Sequence, residues 1–305
     1  MFSYIIRRLL QMIPTLLGVL VLVFILIHSI PGDPASMVAG PEATPVEVEN
    51  VRERLGLNDP IYIQFSNYVS GLFQGDIGTS MRSDRPVLEE IMTRLPTTIT
   101  LTLMAVVMLV VVGLFAGIFS ATKPNSFRDN STMMVALFGI SMPVFWTGIL
   151  LILVFSYYIP IFPSGGNEGF THFILPAIAL GLSSSAILAR LTRSSLLEVV
   201  NQDYIRTAKA KGVKERIVIY KHTLRNALIP VITIIGLEFG TLLGGAVLTE
   251  TVFSINGVGR FLIQSIQFRD YPAIQGTVLF IALVFVFVNL IVDLSYSIID
   301  PRIRR

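Results

Sequence analysis

The chain has no cysteine in 305 residues. Disulfides, thiolate metal sites and cysteine nucleophiles are therefore excluded. Its three histidines, His28, His172 and His222, lie far apart, and none stands at ligand spacing from another. Charge is scarce too: 14% of the residues are Asp, Glu, Lys or Arg, against roughly 25% in a soluble domain. No G-x-x-x-x-G-K-[ST] run occurs, so the chain cannot take a nucleotide through a P-loop. Acids such as Asp76, Glu89 and Glu250 form no nucleophile–base set and no metal motif, which weighs against an enzyme. Asp76, between Gly75 and Gly78, reads as a turn former. The net charge of +3 is small, and the basic residues gather beside apolar runs, so no nucleic-acid partner is indicated.

What the chain has instead is apolar length. Hydrophobic residues make up 53% of it, and the mean hydropathy is +0.72. One globular core cannot hide so much apolar surface, so the chain reads as an integral membrane protein. Its long runs differ from the alternating ~10-residue segments of a barrel, which leaves helices. Spans are predicted at about 9–30, 99–121, 133–159, 173–191, 226–248 and 273–299. Arg7 and Arg8 before the first run superficially resemble a signal peptide. That run reaches Ile30, however, and ends at Pro31-Gly32-Asp33-Pro34 without a small-x-small cleavage pattern, so it reads as a retained span. The polar stretch 31–96 is net negative and has a folded texture. It contains a predicted helix at Pro45–Leu55, amphipathic material at Ile61–Leu72 and a surface-lying helix at Pro86–Leu95. The stretch 249–272 is too polar to cross and reads as dipping into the interface. Gly113 and Gly117 form a small-xxx-small pair in the second span.

Charge asymmetry orients the spans. Arg7 and Arg8, Lys123 and Arg128, the segment from Arg190 to Arg225, and the tail with Arg302, Arg304 and Arg305 fall on one side, which takes most of the 23 Lys and Arg residues. Both termini are then cytoplasmic, and 31–96 lies outside. The expected organisation is 1–95 (first span plus extracytoplasmic region), 96–299 (the remaining five spans) and 300–305 (cytoplasmic tail), with a cytoplasmic loop at about 194–225.

That loop holds the densest positive charge. Arg206, Lys209, Lys211, Lys214, Arg216, Lys221 and Arg225 alternate with Ile217, Val218, Tyr220 and Leu224 at amphipathic spacing. Gly212 interrupts what would otherwise be one helix, which predicts a helix–Gly–helix elbow. Two readings stand at this point: a positive-inside loop gripping anionic head groups, or a docking surface for a soluble motor. In the fifth span Gly236, Gly240 and Gly244 form a stripe suited to close helix packing, within this bundle or against a partner. Glu238, an ionisable group in a span, either lines a translocation path or is a satisfied structural group. Ser183 and Ser184 have the same two readings. Asp293, one turn from Asn289, is expected to pair with a loop arginine.

Tyr204-Ile-Arg206-Thr207-Ala208-Lys-Ala-Lys211-Gly212 and His222-Thr-Leu-Arg225-Asn-Ala-Leu-Ile-Pro230 resemble the EAA loop of ABC importer permeases, specifically the first permease type of the peptide and nickel branch. The resemblance covers nearly the whole chain. It includes Gly75-Asp-Ile-Gly-Thr-Ser80, Arg94-Leu-Pro-Thr97, Glu250-Thr-Val-Phe253, Arg269-Asp-Tyr-Pro272 and Asp300-Pro-Arg302. The run Pro31–Ala43 most resembles glutathione-importer permeases. Asn256 stands where the family usually has Pro, and Arg206 replaces the opening Glu of the general motif.

The resemblance implies an all-α polytopic membrane protein of six transmembrane helices. Its core would be a type I, MetI-like importer permease with an added N-terminal span and extracytoplasmic region. It implies a second permease subunit, two ABC ATPase subunits carrying ATP and Mg, an extracytoplasmic binding protein, and no cofactor on this chain. The setting would be a bacterial or archaeal inner membrane. The substrate would be a peptide, glutathione included, with a nickel chelate as the alternative. Tyr204, Arg206, Thr207, Ala208, Lys211, Gly212, His222 and Arg225 would form the ATPase-coupling loop. A rival class is an ion-coupled secondary transporter using Glu238 and Asp293.

Overall fold

The structure, a computed structural model, describes residues 2–29, 33–40, 42–54, 56–214, 217–218 and 223–299. The described residues form helices and turns, with no strand beyond one isolated bridge between Thr79 and Pro86. The helices are α1 (Phe2–His28), α2 (Pro34–Ala39), α3 (Pro45–Arg54), α4 (Ile61–Phe73), α5 (Val87–Ala121), α6 (Phe127–Ser141), α7 (Val144–Ile152), α8 (Ile174–Val200), α9 (Asp203–Ala210), α10 (Leu224–Val252), α11 (Val258–Gln267) and α12 (Tyr271–Ile299). The chain divides into two compact units, Met1–Pro96 with Asn256–Phe287, and Thr97–Ile255 with Val288–Arg305.

In the first unit the polar stretch is folded through local hydrogen bonding. Thr44 and Glu47 form a reciprocal capping box on α3: Glu47 Oε2 accepts from the Thr44 N–H at 2.7 Å, and Thr44 Oγ1 accepts from the Glu47 N–H. The Thr44 N–H holds the Glu47 carboxyl below its ordinary pKa. Arg52 reaches Asp33 at 2.7 Å and Glu49 at 2.5 Å, tying the cap of α2 to α3, and its own pKa is raised, chiefly by Asp33. On α4, Phe65 stands edge-on to Phe24 of α1 at 5.0 Å, with Tyr68 beside it. Burial there pushes the Tyr68 phenol up to about 12. Val87 and Ile91 of α5, Val258 and Phe261 of α11, and Ala273 of α12 form a buried cluster. Asp76 accepts from the Gly78 N–H at 2.8 Å, the geometry of a side-chain-closed turn.

The second unit is built on the seam between α5 and α8. A Cβ on Gly113 would come within 2.8 Å of Leu188 Cβ, and one on Gly117 within 2.5 Å of Thr192 Cβ. Gly181 of α8 meets Ala105 in the same way. Contacts therefore advance along both helices together, and α5 and α8 run parallel. The chain between them must return across the bundle, which assigns that return to α6 and α7. On the opposite face of α5, Leu103, Val107, Val111 and Phe115 recur every four residues and are exposed, while Leu101, Ala105 and Leu109 are buried. Such a ridge suits lipid or a partner helix and would be unfavourable in water.

Four helical stretches are long and apolar enough to cross a membrane, and the pair Phe127–Ser141 with Val144–Tyr158 adds a fifth if counted as one span. The described apolar part of α1 is Leu10–Ile25. The helices depart from the predicted spans in four places. The stretch 133–159 is not one helix but bends by 101° between α6 and α7. Pro143 has no N–H to give and holds Met142 extended, at φ −85° and ψ 127°. A π-helical turn, Leu153–Tyr158, then continues α7. Pro86–Leu95 does not form a separate surface helix, because α5 runs continuously through Pro96. The helix α8 extends to Val200, into the predicted loop, because Thr192, Ser195 and Leu196 are still buried by their neighbours. Likewise α10 extends to Val252, carrying Thr249 and Glu250 inside.

Candidate functional site

The basic loop folds as a short helix with a defined stop. Its amphipathic pattern is visible in burial: Ile205 of α9 is fully buried, whereas Tyr204, Arg206 and Thr207 are exposed and Ala208 is half-buried. Gly212 follows the end of α9 in the left-handed region, at φ +72°. The Val213 N–H returns to the Ala208 carbonyl at 3.3 Å, so the helix closes with a Schellman-type cap. A Cβ on Gly212 would meet nothing within 4 Å. The glycine is required for its backbone angle, not for space. Beyond it, Val218 and Ala227 are buried, and Thr223 Oγ1 donates to the Val218 carbonyl at 3.0 Å. Asn226 Nδ2 donates to the Tyr204 hydroxyl at 2.8 Å, bracing α9 against the start of α10.

The outer surface of the elbow is left available. Lys211 and Lys214 are exposed, and neither meets a carboxylate among the described residues. Arg206 approaches Asp203 at 3.7 Å, a solvated pair of little energetic weight. Ile217 remains 45% exposed. His222 lies outside the described residues, as does the side chain of Arg225.

Above the elbow, α8 is clamped to the turn between α5 and α6. Arg193 donates from Nε and Nη2 to the two oxygens of Asp129, at 2.6 Å each. The Ser120 hydroxyl and the Asn125 N–H also donate to Asp129, whose side chain is 1% exposed. A bidentate, fully hydrogen-bonded pair of this kind is rigid. Neither Asp129 nor Arg193 is among the residues that the sequence singles out. Only Arg193 carries a signal, as a charge within the apolar run that continues span four; Asp129 lies in a polar stretch and carries none.

The remaining predicted residues are spread over the second unit. Gly236 packs so closely on Val292 of α12 that a Cβ would lie 2.6 Å from its Cγ1. Gly240 is buried, and Gly244 is exposed with open space where a Cβ would be. Ser184 is buried and Ser183 half-buried. Glu238 is half-buried, and its Oε2 is enclosed without a hydrogen-bond partner. The side chain of Asp293 lies outside the described residues. Glu250 is not a free acid at the surface: it is fully buried and accepts from Thr98 Oγ1 at 2.6 Å. The described residues bring together no group of His, Asp and Glu able to hold a metal ion.

Comparison with known proteins decides what kind of machine this is. Residues 113–305 match the family described as binding-protein-dependent transport system inner membrane component, and residues 1–102 match its N-terminal counterpart. The chain belongs to this family of importer permeases. A dipeptide transport system permease of Alkalihalophilus pseudofirmus is 45% identical to it, with the whole of both chains covered. A glutathione transport system permease of Escherichia coli K12 is 48% identical over 100% of this permease and 99% of that one. Among solved structures, the inward-facing MetNI methionine ABC transporter has a chain that superposes with a TM-score of 0.58. That match is 18% identical and covers 68% of this permease and 95% of that chain. An amino acid ABC transporter solved with histidines gives a TM-score of 0.53 at 19% identity over 70% of this permease and 94% of that chain. These two likenesses identify the MetI-like fold. The all-α, multi-pass architecture expected from the sequence agrees with them, and the expected permease role agrees with the family and the two relatives.

Proposed function

We propose that this permease forms half of the pathway of a peptide importer and converts ATP-driven closure of separate ATPase subunits into movement of its helices through the α9 elbow. A second permease completes the pathway, and an extracytoplasmic binding protein delivers the substrate. Both termini lie in the cytoplasm, the side that positive charge selects. ATP and Mg belong to the partner ATPases, since the chain has no P-loop. Di- and oligopeptides are the substrate class, with glutathione among them, as in the two relatives. Glu238 and the serines of α8 are the candidate lining of the pathway.

One observation carries this reading: α9 is a short helix two residues beyond the long α8, anchored by the buried Ile205 and closed by Gly212 at φ +72°. A solvated lipid-gripping loop needs neither a buried anchor such as Ile205 nor a cap. A push on α9 passes to α8 across the two residues between them, and to α10 through the Tyr204–Asn226 hydrogen bond.

Gly212→Asp tests it. Aspartate tolerates the left-handed region better than most residues, so the elbow keeps its shape but gains a negative charge where it meets the ATPase. The expected result is permease in normal amount in the membrane, with ATP-dependent peptide uptake abolished in reconstituted vesicles. Normal uptake by this variant would sink the coupling role.

A further inference from the structure

The first unit contains a cavity of about 220 Å³ with no role in the elbow. It is lined by Ser80, Arg82, Ser83, Glu90, Arg94 and Asp270, and closed by Phe261, Gln264, Ser265 and Phe268 of α11 and the residue after it. Its charges are unequally satisfied. Glu90 is paired with Arg94 one turn along α5. Asp270 is buried and takes the Ser80 hydroxyl at 2.5 Å and the N–H groups of Met81 and Ala273 at 3.1 and 3.2 Å. Both carboxylates are thus neutralised or capped from within. Arg82 is not: its guanidinium carbon sits over the Phe268 ring, 3.7 Å from the centroid, and meets no carboxylate among the described residues. Ser83 is exposed at the cavity mouth and Gln264 half-buried in its wall, and Arg94 Nε is enclosed without a partner.

The donors are held in place before any ligand arrives. Ser80 Oγ, besides donating to Asp270, accepts from the Arg82 and Ser83 N–H groups at 3.3 and 3.2 Å. The loop carrying Arg82 and Ser83 is therefore fastened to the N-cap of α12. Arginine stacked on an aromatic face keeps its in-plane donors free, which suits a planar acceptor. Such donors, fixed in advance, lose little freedom on binding. The volume is below the ~300–1,000 Å³ of a small-molecule site, so it fits one side chain better than a whole peptide.

We propose that this cavity receives a single carboxylate side chain, Asp or Glu, from the extracytoplasmic binding protein, with Arg82 as its counter-charge and Ser83 and Gln264 as flanking donors. The inference rests on the importer reading, which places the loop 76–86 and α11 on the outer side of the membrane, facing that partner. The pocket then sets the register in which the loaded binding protein docks.

The test uses the full transporter in phosphatidylcholine vesicles, with ATP hydrolysis measured against rising concentrations of its binding protein. Arg82→Glu should raise the half-saturating concentration about ten-fold, the loss of one charge-assisted contact plus repulsion. Gln264→Ala should raise it by less. Arg85→Glu, the same charge change outside the cavity, should leave it nearly unmoved. Lysine substitutions at surface acids of the binding protein should include one that restores tight docking to Arg82→Glu but not to Arg85→Glu. Equal half-saturating concentrations for wild type and Arg82→Glu would overturn the proposal. So would an effect that appears only when phosphatidylglycerol is added, because the anion would then be a lipid phosphate. If the wild type itself gains no ATPase activity from the binding protein, the importer reading fails and the docking site with it.

Discussion

The seam between α5 and α8 and the elbow at α9 lie on one continuous stretch of chain, and each depends on glycine and charge in an opposite way. At the seam, Gly117 is glycine because Thr192 and the Ala189 carbonyl leave no room for a Cβ. At the elbow, Gly212 has open space around it and is glycine only because φ is +72°. Beside the seam the charge is locked away, with Arg193 of α8 and Asp129 of α6 meeting through two hydrogen bonds. At the elbow, Lys211 and Lys214 project outward unpaired among the described residues. The seam is complete within this chain, so it serves to hold the helices together. Among the described residues the elbow leaves Lys211 and Lys214 without an internal carboxylate and gives Arg206 only the solvated Asp203, as expected of a surface that another protein completes.

The contrast is testable by substitution. The largest effect is expected for Arg193→Leu, which leaves Asp129 buried without its counter-charge. Removing one member of a buried pair costs about 3–5 kcal/mol. The amount of folded permease in the membrane, followed by detergent extraction and size-exclusion chromatography, should collapse. Gly117→Val should come next, because its Cβ would overlap Thr192 and only separation of the two helices could relieve it. A cost of about 1–3 kcal/mol should show as a lower melting temperature in detergent. Gly212→Ala should be milder, at about 1–2 kcal/mol for a left-handed alanine. It should act mainly on uptake per molecule rather than on amount. If it lowers amount as much as Gly117→Val does, the elbow is a packing element and the contrast fails. The smallest effect is expected for Gly244→Ala, where a Cβ meets nothing within 4 Å. Normal thermal stability combined with weakened association to the second permease would show that the exposed end of the stripe is an interface.

Much of this was readable in the order of residues. The apolar runs, the charge asymmetry and the interrupting glycine depend on local composition, and they specified a helical membrane protein with a basic elbow. The folded texture of 31–96 was legible because apolar residues recur through it. Less legible was where helices stop. Pro143 was visible, yet whether a proline kinks a span or breaks it depends on what supplies the freed carbonyls, and here the chain bends by 101°. The helices run on to Val200 and Val252 because neighbouring elements bury Thr192, Ser195, Leu196, Thr249 and Glu250 on the way, which no local window reports. Glu250 read as an outer acid because the sequence around it is polar. Only the packing of α10 against Thr98 makes it a buried acceptor.

Local order specified the solvent, the helical class and the φ-positive position at Gly212, because hydropathy, helical period and backbone sterics act within a few residues. Tertiary structure alone decided the partners. Asp129 and Arg193 are 64 positions apart, and Ser80 and Asp270 are 190 apart. Charge pairs at such separations follow from how helices close on one another, so the locked cluster, the unpaired Arg82 and the small cavity beside it emerge only after folding.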